Sequence, residues 1–90
     1  SLVRYVPSGE INTRVSDSRV VIAHIKTQAR SIPGADIDEL DGLTVSGDGW
    51  WFNVRPSNTE PLLRLNCEAA TQAEMERIRD NVLRMMADAT

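Results

Sequence analysis

The sequence predicts an α+β fold: an antiparallel sheet of about four strands with two helices on one face. Three observations carry that expectation. Trp50, Phe52 and Val54 alternate with Trp51, Asn53 and Arg55, and Leu63, Leu65 and Cys67 alternate with Leu62, Arg64 and Asn66, which is the period of half-buried strands. Thr71 and Glu74 stand at capping-box spacing ahead of Met75, Ile78, Val82, Met85, Met86 and Ala89, the spacing of an amphipathic helix. The full order of strand, helix, strand, strand, strand, helix leaves both helices free to cover one sheet face.

From the N-terminus, Pro7-Ser8-Gly9 signals a turn or hinge. Residues 1–10 are expected to be a hinge and the start of the domain that fills residues 11–90. Ile11, Thr13 and Val15 alternate with Asn12 and Arg14, a short strand. From Asp17, an N-cap residue type, Val21, Ile22, Ile25 and Ala29 recur near helical spacing until Pro33-Gly34 stops the helix. The β-branched run Val20-Val21-Ile22 works against this assignment, since such side chains favour strands. Leu43 and Val45 flank Thr44 in a second strand, and Gly47-Asp48-Gly49 makes a tight turn into the strand from Trp50. That turn contains one carboxylate, too few oxygen ligands for a hard cation.

Composition narrows the function classes. Ninety residues make one domain, 41% hydrophobic and 26% charged, ordinary values for a folded domain and not for a disordered chain. A net charge of −3 and a pI near 5.0 argue against non-specific nucleic-acid binding, which needs a basic face. One cysteine, Cys67, and one histidine, His24, make neither an internal disulfide nor a zinc site; a reducing, cytoplasmic setting is expected, and no metal ligands. Ser57 and Ser8 lack the histidine-containing surroundings of an activated nucleophile, and His24, in the first helix, fits a structural or solvent-facing role. No run approaches the roughly 20 apolar residues of a membrane span, and no membrane partner is expected. Beginning at Ser1 without a methionine, the chain is expected to be an excised piece of a longer protein.

The chemistry concentrates in Arg55-Pro56-Ser57-Asn58-Thr59-Glu60-Pro61, with Arg64 just beyond. A phosphate ester carries roughly −1.5 to −2 charge and three acceptor oxygens, so its site wants guanidinium groups, hydroxyls and free amides converging on one point. This segment offers all three. If Phe52, Val54, Leu63 and Leu65 face the helices, parity sends Arg55 and Arg64 to the open face together. Proline at both ends stiffens the loop and leaves the amides of Ser57, Asn58, Thr59 and Glu60 as candidate donors. Glu60 should repel a phosphate, and three roles remain open for it: pairing with Arg64, accepting from a sugar hydroxyl, or fixing the loop through its backbone. Composition alone also allows a hairpin loop whose arginines are merely solvated. Trp51 must oppose Trp50, and could line a cleft or be an isolated surface aromatic. Met75, Met85 and Met86 fit core filling, and Arg77, Arg79 and Arg84 interleaved with Glu76 and Asp80 fit a solvated helix face.

The stretch from Arg55 to Arg64, followed by Leu65-Asn66-Cys67-Glu68-Ala69, resembles the signature of the C-terminal, fourth domain of the α-D-phosphohexomutases, nearest to the bacterial phosphomannomutase/phosphoglucomutase branch. Arg4-Tyr5 and Ser8-Gly9-Glu10-Ile11-Asn12 resemble the hinge and first strand of that domain, so the likeness spans the chain. It implies a fold similar to the TATA-box-binding protein and a loop in which Arg55, Ser57, Asn58 and Thr59 clamp the phosphate of the sugar phosphate, with Arg64 matching a further family arginine and Glu60 a possible accessory. Asn58 stands where many relatives have glycine, a variant more typical of this branch than of phosphoglucosamine mutases. The resemblance further implies a parent enzyme that interconverts hexose 1-phosphate and 6-phosphate with magnesium and a phosphoserine held by other domains. By that implication this domain holds no catalytic residue and no cofactor, its partners are a mannose or glucose phosphate and the other domains, and it is inactive alone. Two readings compete: a free-standing phospholigand-binding or interaction module, and the same domain of a phosphoglucosamine mutase.

Overall fold

Alternation and capping fold the chain as β1 (Val6–Pro7), β2 (Ile11–Arg14), α1 (Ser18–Ala29), β3 (Asp36–Asp38), β4 (Leu43–Gly47), β5 (Trp50–Pro56), β6 (Leu62–Ala69) and α2 (Gln72–Asp88). These come from a computed structural model that describes residues 4–90; the first part of the expected hinge, residues 1–3, lies outside the described residues. All pairings are antiparallel, in the order β1-β6-β5-β4-β3, with β2 also on β6. The α+β architecture is as the alternation predicts. Among the described residues, however, the sheet has six strands where about four were expected. The two additional strands carry almost no local signal: β1 is a dipeptide containing proline, and β3 offers one apolar residue, Ile37, between two aspartates. Both are edge strands, where proline and charge are tolerated and discourage pairing with other chains.

β1 and β2 are two stretches of one edge, separated by a bulge. Pro7 pairs with Glu68 and Ile11 with Leu65, so Ser8, Gly9 and Glu10 lie opposite only Asn66 and Cys67, the extra residue of a β-bulge. Gly9 takes φ 74° there, a left-handed conformation that glycine adopts without a steric penalty. Ser8 repairs the interrupted ladder. Its N–H donates to the Cys67 carbonyl at 2.9 Å, and its hydroxyl accepts from the Cys67 N–H at 3.0 Å. The Pro7-Ser8-Gly9 signal is thus a bulge stitched into the sheet.

Asp17 caps α1 by accepting from Arg19 N and Val20 N, and the helix includes the β-branched Val20, Val21 and Ile22. Burial of Val21, Ile25 and Ala29 outweighs their strand propensity, which amounts to less than about 1 kcal/mol per residue. In α2 the Thr71 hydroxyl accepts from Glu74 N at 3.1 Å, while the Glu74 carboxylate turns to Arg77. One half of the capping box therefore forms. Met75, Val82 and Met86 are buried against Phe52, Val54, Leu63, Leu65, Cys67 and Ala69 of the central strands. Trp50 joins the rim of this core, its ring stacked on Phe52 at 6.3 Å. Trp51 takes the opposite face and donates Nε1–H to Glu68, its cross-strand partner, at 3.2 Å.

The Ser8 hydroxyl is the side chain that ties the bulge to β6. Ser8→Ala leaves the Cys67 N–H without its acceptor, and we expect a loss of about 1–3 kcal/mol in urea unfolding, with hydrogen exchange accelerating first at Cys67.

Candidate functional site

Register places the two arginines. Because Phe52 and Val54 on β5 and Leu63 and Leu65 on β6 are buried, the residues between them must emerge on the face without helices. Arg55 and Arg64 are directly paired across the two strands, and Asn12 of β2 is the next neighbour of Arg64. Like charges directly opposite one another are unfavourable, and Arg64 forms no ion pair among the described residues.

Beyond the pair, the loop closes by its own backbone. Ser57 N–H donates to the Leu62 carbonyl at 2.9 Å, and Leu62 N–H to the Glu60 carbonyl at 2.8 Å, a tight turn around Pro61. Val15 N–H holds the Pro61 carbonyl at 2.9 Å, tying the loop to the chain after β2. The Ser57 amide is thereby used inside the hairpin and is no longer a free donor. Thr59 N–H makes a long contact of 3.4 Å with Ser57 Oγ. Asn58 and Glu60 retain amides with no protein acceptor among the described residues. The Glu60 carbonyl takes part in this turn, and no ion pair joins Glu60 to Arg64 among the described residues.

An open depression of about 490 Å³ sits at this end of the sheet, lined by Asp41, Gly42, Arg55, Pro56, Ser57, Asn58, Thr59 and Arg64. Arg55, Ser57, Asn58, Thr59 and Arg64 are thus brought together, while Glu60 lies outside the lining. These five residues bring two guanidinium groups, two hydroxyls and an amide side chain to the lining of a volume ample for a small anion, donors of the kind that phosphate oxygens accept. A second cavity of about 320 Å³ on the helix side is lined mainly by Ile32, Trp50, Phe52, Ile78, Val82 and Met85. Its only cation, Arg77, is paired with Glu74, so it offers an anion little. His24 lies in α1 and does not line the depression.

Asp41 and Gly42 were not foreseen at the site. Asp41 Oδ2 lies 3.3 Å from Arg55 Nη1 in an exposed ion pair. Asn53 fixes this turn by donating to the Asp41 carbonyl at 2.8 Å and to Thr44 Oγ1 at 2.9 Å. Gly42 takes φ 68°, and a Cβ there would stand 2.5 Å from the Val54 carbonyl and 2.6 Å from Arg55 Cγ. The Asp-Gly dipeptide is a turn signal in sequence, but nothing local says that the turn abuts Arg55. No cluster of three or more histidine, cysteine or acidic side chains able to hold a metal exists among the described residues, and none of their helices is long and apolar enough to cross a membrane.

Residues 10–85 match the sequence model of the family described as phosphoglucomutase/phosphomannomutase, C-terminal domain. A phosphomannomutase of Methanocaldococcus jannaschii is 40% identical over 84 residues, covering 93% of this chain and 18% of the relative. One from Salmonella typhimurium is 35% identical over 82 residues, covering 91% of this chain and 18% of the relative. A solved structure of a phosphoglucomutase/phosphomannomutase family protein from Burkholderia thailandensis superposes with a TM-score of 0.72 at 28% identity, over 96% of this chain and 18% of that one. The chain therefore spans about a fifth of the length of the relatives it matches.

A methyl group at Gly42 would collide with the Val54 carbonyl and with the Arg55 side chain. Gly42→Ala should displace Arg55 and lower stability by about 1–3 kcal/mol in chemical denaturation, from backbone strain and overpacking together.

Proposed function

This chain belongs to the phosphoglucomutase/phosphomannomutase family as its C-terminal domain, and on that premise we propose that it grips the phosphate group of a phosphosugar. The observation that carries the reading is the cross-strand pairing of Arg55 and Arg64 on the open sheet face, around a depression that also receives Ser57, Asn58 and Thr59. Each guanidinium supplies charge-assisted hydrogen bonds, and the hydroxyls of Ser57 and Thr59 with the Asn58 amide complete a set of donors around three phosphate oxygens. The hairpin bonds to Leu62 and Pro61 support a preorganised loop, which reduces the entropy lost on binding.

The task of these groups is orientation. The lining holds no histidine, and its one carboxylate, Asp41, is paired with Arg55, so the donors are suited to holding a phosphate and not to transferring it. We place the domain in a parent enzyme that interconverts hexose 1-phosphate and 6-phosphate in the cytoplasm. There it would anchor the phosphate remote from the reacting one while the rest of the enzyme performs transfer, so that binding energy is spent on alignment. Magnesium, implied for such an enzyme, finds no donor set among the described residues, and no step here depends on it. Mannose and glucose phosphates share the group that the loop contacts, so the choice between them falls to other parts of the parent.

Titration of the isotope-labelled domain with inorganic phosphate, mannose 1-phosphate and glucose 1-phosphate tests this. We expect weak binding, about millimolar, because a few charge-assisted bonds must offset the association entropy. Amide shifts should concentrate between Arg55 and Arg64, be alike for the three ligands and disappear in Arg55→Ala. Shifts confined to α2, or unaffected by Arg55→Ala, would refute the assignment.

A further inference from the structure

Asp41 is a carboxylate on the wall of a site that otherwise collects cations and hydroxyls. Its placement is built in. The Asn53 side chain holds its carbonyl from one side, and Gly42, at a φ of 68° with no room for a Cβ, lets the turn run directly against Val54 and Arg55 from the other. The result brings Asp41 Oδ2 to 3.3 Å from Arg55 Nη1, with the aspartate side chain 78% exposed and the arginine 40%. An exposed pair of this kind contributes little to stability, so stability alone does not account for a turn so closely fitted to Arg55.

Resting on the phosphate reading above, we propose that Asp41 is a resident counter-ion that tunes the strength of the grip: it occupies Arg55 in the empty site and opposes the incoming phosphate once Arg55 turns to it. Two consequences follow from charge alone. In the empty site, Asp41 offsets the repulsion between cross-strand Arg55 and Arg64 and keeps the Arg55 guanidinium beside the depression. In the loaded site, its negative charge remains on the wall and weakens the hold on the anion, more for a dianion than for a monoanion, since the repulsion scales with ligand charge. A grip weakened in this way releases its ligand faster. Asp41 is thus a positioning residue acting through Arg55.

The test is phosphate titration of wild type, Asp41→Asn, Asp41→Ala and Arg55→Ala, at a pH where inorganic phosphate is chiefly dianionic and again where it is chiefly monoanionic. Both Asp41 variants should bind the dianion about threefold to tenfold more tightly than wild type, gain less for the monoanion, and lose most of the gain in high salt. A merely structural role for Asp41 would instead weaken binding equally at both pH values. If wild type binds, Arg55→Ala does not, and the Asp41 variants bind no tighter, the counter-ion proposal fails while the phosphate site stands. If wild type and Arg55→Ala behave alike, both fail. Amide spectra of the variants, with shifts confined to the 41–42 turn and the loop, separate an altered site from an altered fold.

Discussion

The register between β5 and β6 is the constraint on which the rest of the molecule depends. Pairing Val54 with Leu65 and Phe52 with Cys67 buries the apolar members of both strands beneath the helices, and the same pairing sets Arg55 against Arg64 on the other side. A slip of β6 by one residue would put Leu63, Leu65 and Cys67 in water and Arg64 in the core. The hydrophobic effect that orders the core therefore also orders the site. No separate device is needed to bring the two guanidinium groups together, and their mutual repulsion is the small penalty accepted for it.

The sheet's edges serve the same end. On one side, β2 pairs with the start of β6 and its continuation at Val15 holds the Pro61 carbonyl, so the loop is anchored from outside the hairpin. On the other, the turn at Asp41-Gly42 packs against Arg55 and is secured by Asn53. The depression thus sits between two fixed walls. Its position at the end of the sheet, with the helices on the opposite face, leaves it open.

How much of this could be read from the chain alone followed the range of each signal. Period-two alternation in β5 and β6, the caps Asp17 and Thr71, and the loop residues Ser57, Asn58 and Thr59 are local patterns, and each corresponds to an element or lining residue. β1 and β3 are too short to show a period, and their existence depends on partners far along the chain. Asp41 escaped for the same reason: a turn residue gains its meaning from Arg55, and that contact is made by β4 and β5 pairing, not by local sequence. The Ser57 amide shows the converse. Sequence offered it as a donor, but closing the hairpin required it for Leu62.

Family membership explains the likeness over nearly the whole chain, and the geometry gives that likeness a physical content, a paired cationic site held by core packing. A crystal structure of the domain grown with a hexose phosphate at millimolar concentration tests this content most directly. The account predicts the phosphate within hydrogen-bonding distance of both Arg55 and Arg64 and of the Ser57 and Thr59 hydroxyls, with the sugar directed away from the sheet. A phosphate bound elsewhere, or one touching the loop without either arginine, would contradict it.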